Sequence, residues 1–261
     1  MIDHAHLRAI MAEAGAIAMA CWPGQTIPHK PLDVWEKSPG NPVCSADLEV
    51  NAFLRARLSA LLPAAGWLSE ETADSPDQRE GTLIWLVDPI DGTRDYIHGR
   101  PGWAVSVALI SGGRPLVGML CAPARGEFWE AHAGQGAFLN GQPIAASRRA
   151  ALTGARTPAR ALSPEDADLT MVEQPNSIAL RIAMVADNRA DLVATLRWGF
   201  EWDIGAAELI AREAGAVVSD AFGQRVDYNK PDPRAFGVVV CGSAMHGAAV
   251  ERLAERAVRL V

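Results

Sequence analysis

Two carboxylates three residues apart, Asp88 and Asp91, stand in the stretch Thr82-Leu-Ile-Trp-Leu-Val-Asp88-Pro-Ile-Asp91-Gly92-Thr93. Two anionic side chains crowded on one turn repel each other unless something positive lies between them. Carboxylate oxygens are hard ligands, suited to Mg²⁺ or Mn²⁺ rather than to a soft metal. The turn would also expose a main-chain carbonyl, that of Ile90, as a further oxygen ligand. Gly92 and Thr93 can then offer backbone N–H groups, and Thr93 a hydroxyl, to a phosphate at the start of a short helical turn. An Asp-Pro-x-Asp-Gly sequence also makes ordinary surface turns. The stretch alone therefore decides little, although the apolar run before it weighs toward a site.

That run, Leu83 to Val87, has the length and composition of a buried strand. The reading ends it at Asp88, because Pro89 fixes its own φ and cannot extend the ladder, while Gly92 can take a conformation other residues avoid. The C-terminal end of a strand is a common place for chemistry in sheet-and-helix folds. Three further acids are candidates on weaker local grounds. Asp47 lies in the first turn of a helix expected from Ala46 to Leu62, with Ser45 as its N-cap, and the helix dipole alone would favour a negative charge there. Glu70 and Glu71 end the short apolar segment Gly66-Trp-Leu-Ser, before a polar loop from Ala73 to Gly81. They are either solvated surface or, one loop from the Asp88 strand, neighbours on the same sheet edge. Asp203 precedes a helical pattern that ends at Gly215, as an N-cap or facing an anionic ligand.

The remaining elements follow from periodicity. Leu7 to Ala20 forms an amphipathic helix, since Glu13 interrupts it and no basic segment precedes it as in a lipoprotein signal. Pro23 to Pro42 is a loop carrying Lys30 and Lys37. Trp103 to Ile110 and Pro115 to Cys121 flank Ser111-Gly-Gly-Arg114 as a hairpin, and Glu127 to Ala131 and Gly136 to Leu139 are further strands before an Asn140-Gly141 turn. Composition shifts between Ala145 and Pro164, which marks a seam between an N-terminal half, 1–147, and a C-terminal half, 148–261. The second half holds a helix from Ser177 to Ala190, strands at Ala216 to Ser219 and Gly237 to Cys241, and a final helix from Ala244 to Leu260.

Composition narrows the function classes. A net charge of −7 with no basic run argues against binding a nucleic acid polymer. It leaves an anionic substrate open, because bound divalent cations reverse the local field. Cys21, Cys44, Cys121 and Cys241 lie far apart with no C-x-x-C pair, so neither zinc nor a disulfide framework is expected, and the cytoplasm fits best. No stretch reaches transmembrane length, so no membrane partner is expected.

Taken together, Glu70-Glu71, Asp88-Pro-Ile-Asp91-Gly92-Thr93 and Trp202-Asp203 through Glu213-Ala-Gly215 resemble the inositol monophosphatase superfamily of Mg²⁺-dependent, lithium-sensitive phosphatases. Each motif is weak to moderate alone; their order and spacing are highly specific, and the likeness runs from Lys37-Ser38-Pro39 to Gly215. The resemblance implies a mixed α+β chain folded as a layered αβαβα sandwich, with most metal ligands in the first half and Asp203 and substrate contacts in the second. It implies that Glu70, Asp88, Asp91, Asp203 and the Ile90 carbonyl bind two or three Mg²⁺ ions, that Asp47 and Thr93 orient the attacking water, and that Gly92 and Thr93 bind phosphate. The activity implied is metal-assisted hydrolysis of a small phosphate monoester, and a homodimer is a further implication. Two cations about 3.5–4 Å apart would hold the water and the leaving oxygen.

The departures bear on substrate. Cys44 stands where the family usually has Thr, and Asn176-Ser177 where it usually has Gly-Ser. Inositol phosphatases carry an acid seven residues before the Trp-Asp aspartate; here that position is Leu196. Arg197-Trp-Gly-Phe-Glu-Trp-Asp203, with Tyr228-Asn-Lys-Pro231, instead resembles the bacterial 3′(2′),5′-bisphosphate nucleotidase branch. The expected substrate is 3′-phosphoadenosine 5′-phosphate, with Arg197 as a substrate contact, or as a merely solvated surface residue. Inositol 1-phosphate or another sugar or polyol phosphate is the alternative. A catalytically silent anion-binding relative is a reading of a different class, against which stands the presence of every motif carboxylate. A calcium-stabilised domain would need an acid-rich twelve-residue loop that is absent from the sequence.

Overall fold

The apolar run that carries Asp88 becomes the second strand of a seven-stranded sheet. The computed structural model describes residues 3–25, 30–72, 79 and 81–260. Helix α1 (His4–Cys21) is followed by a hairpin, β1 (Val34–Ser38) and β2 (Asn41–Cys44), and by helix α2 (Ser45–Leu61). The main sheet then runs through β3 (Gly66–Ser69), β4 (Leu83–Asp91), the short helix α3 (Thr93–Ile97), β5 (Ala104–Ser111), β6 (Arg114–Ala122), β7 (Glu127–His132), β8 (Ala137–Leu139) and β9 (Gln142–Pro143). The second half contains β10 (Arg156–Pro158), β11 (Thr170–Val172), α4 (Ile178–Ala186), β12 (Leu192–Phe200), α5 (Glu201–Glu213), β13 (Ala216–Ser219), β14 (Arg234–Gly242) and α6 (Ser243–Val258).

Side-chain alternation along β4 builds the layers. Trp85 and Val87 point to one face, where Leu7, Ile10, Leu54 and Leu58 of α1 and α2 cover them. Ile84 and Leu86 point to the other, against Ala183 and Leu209 of α4 and α5. A strand covered on both faces reads as a continuous apolar run, which is how the sequence presents it. The same two central helices also cover Val193, Val238 and Val240 of a smaller antiparallel sheet, ordered β12-β14-β13. Its outer face, Leu192, Val239 and Cys241, packs on Met245, Ala249 and Leu253 of α6. The order is helix, sheet, helix, sheet, helix, the expected αβαβα sandwich. Gly118 on β6 lets α5 lie close to the sheet, since a Cβ there would come 2.5 Å from the Ala206 carbonyl.

Several local expectations are corrected. Strand β4 does not stop at Asp88. Asp88 pairs with Ser106 and Asp91 with Ala104, so three steps on β4 match two on β5. This is a bulge, which absorbs the proline that cannot donate to the ladder. The Pro23 to Pro42 loop contains the β1–β2 hairpin, with Pro42 tolerated on a two-stranded edge. The N-cap of α2 is Cys44, not Ser45, and the N-cap of α5 is Phe200, so Asp203 is a third helical residue. Helix α4 ends at Ala186, earlier than expected, where Asn188 turns with φ of 63°. Strand β12 has no counterpart in the periodicity reading. The polar loop from Ala73 to Gly81 lies outside the described residues except for Arg79 and Gly81. Among the described residues no helix is long and apolar enough to cross a membrane.

Candidate active site

Parallel pairing of β3 with β4 places Ser69 beside Val87, and the Glu70 N–H continues the ladder to the Val87 carbonyl at 3.2 Å. Glu70 and Asp88 therefore leave adjacent strands at the same edge. The bulge then separates Asp88 from Asp91 and brings both acids into one cleft. Helix α5 enters that cleft from the second half with Asp203 in its first turn. Glu70, Asp88, Ile90, Asp91, Gly92, Thr93, Asp203 and Arg197 all line a cleft of about 390 Å³. Asp47, from α2, is fully buried behind Thr93.

The partners of each acid are specific. Asp88 Oδ1 accepts the Ile90 N–H at 3.0 Å, holding the bulge in shape. Asp91 is met by the N-terminus of α4: Oδ2 accepts from the Ser177 hydroxyl at 2.5 Å and the Ala179 N–H at 2.7 Å, and Oδ1 from the Ile178 N–H at 3.3 Å. Asp203 Oδ2 accepts the Phe200 N–H at 2.8 Å, the closing bond of its own helix start. Glu70 is joined to Lys37 of β1 at 2.9 Å, and Lys37 reaches Glu71 at 2.6 Å. The expected pair of adjacent glutamates is thus bridged by one cation from the hairpin.

Asp47 and Thr93 are also brought together. The Asp47 Oδ2 atom accepts both the Cys44 N–H (2.8 Å) and the Cys44 thiol (2.9 Å). A thiol thus occupies the donor position of the usual Thr. The other oxygen, Oδ1, lies 3.4 Å from the Thr93 hydroxyl, which is closer, at 3.0 Å, to the Ile90 carbonyl. Burial pushes the Asp47 carboxyl up to about 7, against the lowering effect of the two Cys44 bonds. Gly92 turns the chain into α3 with φ of 94°, and a Cβ there would stand 2.6 Å from the Gly102 carbonyl and 2.8 Å from the Ser177 nitrogen. Only glycine fits both the conformation and the space.

Four carboxylates in one cleft carry more negative charge than their neighbours cancel. Asp88 is held well above the usual carboxylate range by burial and then by Glu70, Asp91, Asp203 and Asp47. Burial, with Asp91 and Glu70, does the same to Asp203. Hard oxygen donors with an uncancelled charge fit Mg²⁺. Among the described residues, no three acidic, histidine or cysteine side chains close around a single point. The carboxylates line the cleft end rather than forming a finished cage.

Sequence reasoning missed several residues that shape the site. Ser177 and α4 hold Asp91; Ser177 could have been found as an N-cap before an apolar helical pattern. Arg181, one turn further, lines the cleft. Trp198 and Phe200 project from β12 into its mouth, more than a third exposed at 54% and 40%. Glu201, fully buried at the start of α5, accepts the Asn229 and Lys230 N–H groups at 2.5 and 3.1 Å. Arg79 grips the same segment, donating to the Lys230 carbonyl at 2.5 Å and the Pro231 carbonyl at 3.0 Å.

The layered sandwich carries an acid-lined cleft at the end of β4, and by its family the chain is a phosphatase, a phosphoric monoester hydrolase. The chain belongs to the inositol monophosphatase family, whose model matches residues 4–260. That family is generally Mg²⁺-dependent. The chain is 34% identical to the inositol-1-monophosphatase of Mesorhizobium japonicum over 74% of its own length and 77% of that protein's. It is 31% identical to the 3′(2′),5′-bisphosphate nucleotidase CysQ of Escherichia coli, over 76% and 84%. Among solved structures, the Thermotoga maritima inositol monophosphatase superposes with a TM-score of 0.80 at 26% identity, covering 97% of each chain.

Proposed function

We propose that the protein is a Mg²⁺-dependent phosphatase acting on a nucleoside bisphosphate such as 3′-phosphoadenosine 5′-phosphate. Glu70, Asp88, Asp91, Asp203 and the Ile90 carbonyl would hold the metal. The carrying observation is the convergence, on one bulged strand end, of these acids with the Asp47–Thr93 pair. When bound, Mg²⁺ supplies Lewis-acid polarisation of the phosphate and lowers the pKa of water beside it. The side chains do the rest. Cys44 occupies one Asp47 oxygen, which leaves Oδ1 to take the Thr93 proton. The Thr93 oxygen is then free to accept from, and so orient, the attacking water. The Gly92 and Thr93 N–H groups, at the start of α3, face the phosphate oxygens. The nucleotide preference rests on Leu196, which packs against the cluster that holds Leu253 of α6 and offers no acceptor to polyol hydroxyls, and on Arg197 in the cleft. On the same reading the halves are 1–147 and 148–261, and the four free, buried thiols suit the cytoplasm.

The test is turnover of 3′-phosphoadenosine 5′-phosphate, inositol 1-phosphate and fructose 1,6-bisphosphate, with Mg²⁺ and with a chelator, in wild type and Asp91→Asn. Chelation and Asp91→Asn should each abolish turnover, and the nucleoside bisphosphate should have the highest kcat/KM. Metal-independent turnover would remove the proposed chemistry. A preference for inositol 1-phosphate would remove only the nucleotide assignment.

A further inference from the structure

The turn that carries Gly92 is roofed by the start of α4. A Cβ on Gly92 would stand 3.2 Å from the Ser177 Cα, and the Ser177 N–H donates to the Gly102 carbonyl at 2.9 Å. Asn176 is one residue back along this run, about 3.8 Å away from Cα to Cα. Its backbone is held on both sides. The N–H donates to the Asp95 carboxylate at 2.9 Å, and the carbonyl accepts from Arg181 Nη2 at 2.8 Å. Arg181 Nε fixes the Pro175 carbonyl in the same way, at 2.7 Å. Asp95 is itself buried on α3 and paired with Arg100 at 3.3 Å.

The Asn176 side chain is the exception. It is half-buried and lines the cleft, yet its carboxamide makes no hydrogen bond among the described residues. The other polar groups at the start of α4 are spent, since the Ser177 hydroxyl and the Ile178 and Ala179 N–H groups all serve Asp91. An amide without protein partners, on a backbone fixed at both its polar groups, is a preorganised donor and acceptor.

What it meets follows from its place. In the phosphatase reading above, the Gly92 and Thr93 N–H groups face the oxygens of the reacting phosphate. Beyond them in a phosphate monoester come the ester oxygen, its carbon and the substituents of the adjoining carbon. A neutral carboxamide can donate to a hydroxyl oxygen and can accept a hydroxyl proton. We propose that Asn176 is a specificity residue whose carboxamide binds the free hydroxyl on the carbon next to the scissile ester. The ligand class is a phosphate monoester of a polyhydroxylated ring. In a nucleoside 3′-phosphate the hydroxyl is the ribose 2′-OH; in inositol 1-phosphate it is a neighbouring ring hydroxyl. The assignment rests on the phosphatase reading of the cleft and holds for either ring.

The experiment compares kcat/KM in Mg²⁺ within pairs that differ by that hydroxyl alone, in wild type, Asn176→Ala and Asn176→Ser. One pair is 3′-phosphoadenosine 5′-phosphate and its 2′-deoxy analogue; the other is inositol 1-phosphate and its 2-deoxy and 6-deoxy analogues. Titration calorimetry beside it reads the affinities of adenosine 5′-phosphate and 2′-deoxyadenosine 5′-phosphate. In wild type the hydroxyl-bearing member of the preferred pair should be favoured about tenfold, the scale of one hydrogen bond. Either variant should cut that ratio below about threefold. An unchanged ratio in both variants overturns the contact, and so does an equal loss on both members of the pair, which a merely structural residue would give. A wild type without Mg²⁺-dependent turnover of any substrate removes the phosphatase reading, and calorimetry then decides Asn176. There a preference for the ribonucleotide that both variants abolish upholds the contact, and equal affinities in wild type overturn it. A wild type that prefers inositol 1-phosphate removes the nucleotide assignment, and the inositol pair decides Asn176 by the same ratio.

Discussion

Ser177→Ala is the most informative single perturbation, because one buried hydroxyl serves both the site and the fold. It donates to Asp91 at 2.5 Å and accepts the Leu180 N–H at 2.9 Å as the N-cap of α4. Losing an N-cap serine costs about 0.5–2 kcal/mol, and a hydrogen bond to a charged group is worth about 1.5–3 kcal/mol. Both run through one oxygen and do not add in full, so the expected loss is about 2–4 kcal/mol. Urea unfolding reads it directly: with m of about 2 kcal/mol/M, inside the usual range, the midpoint should fall by roughly 1–2 M at constant m. Activity should suffer less than in Asp91→Asn, because the Ala179 and Ile178 N–H groups still hold the carboxylate. A midpoint unchanged within error would refute the reasoning. So would a folded Ser177→Ala protein as inactive as Asp91→Asn.

Three other outcomes are expected. Thr93→Ala should slow hydrolysis by about 10²–10⁴-fold, and adding Asp47→Asn should cost little more; additive losses in kcat would show that the two do not act as a unit. Asp191, bonded three times by Arg156 and once by Ser147, is held well below the usual carboxylate range, mainly by the Arg156 guanidinium. A depressed folded pKa gives stability that is present above the unfolded value of about 3.9 and is lost as pH falls below it. The Tm deficit of Asp191→Asn should therefore be full at pH 7 and shrink below pH 4, and a constant deficit across that range would contradict the assignment. Gly118→Ala should lower Tm, since its Cβ would meet the Ala206 backbone of α5 rather than a flexible side chain; an unchanged Tm would mean that sheet and helix separate freely there.

What the sequence made legible was what local chemistry encodes. The run Leu83 to Val87 specifies a strand covered on both faces, and α1, α2 and α5 follow from apolar spacing and their flanking residues. The Asp88–Asp91 spacing marks the two acids that the structure places in one cleft. What stayed hidden depends on residues far apart in the chain. The β4 bulge is defined by its pairing with Ser106 and Ala104, and a proline alone suggests termination. Asp203 looks like an N-cap because a short acid before a helical pattern usually is one; the Phe200 N–H it accepts shows the N-cap standing three residues earlier, at Phe200. Strand β12 escaped because its bulge breaks the alternation. Arg181 shows nothing locally beyond an ordinary helical arginine.

The grip of Arg79 and Glu201 on residues 229–231 has a consequence for Asp203. Arg79 and Glu201 hold the same short run of backbone, and Glu201 precedes Asp203 by two residues. That run cannot move away from the start of α5 without exposing the buried Glu201 carboxylate. Trp198 and Phe200, at the mouth of the cleft, face solvent. The first turn of α5, and Asp203 with it, is anchored from outside its own helix.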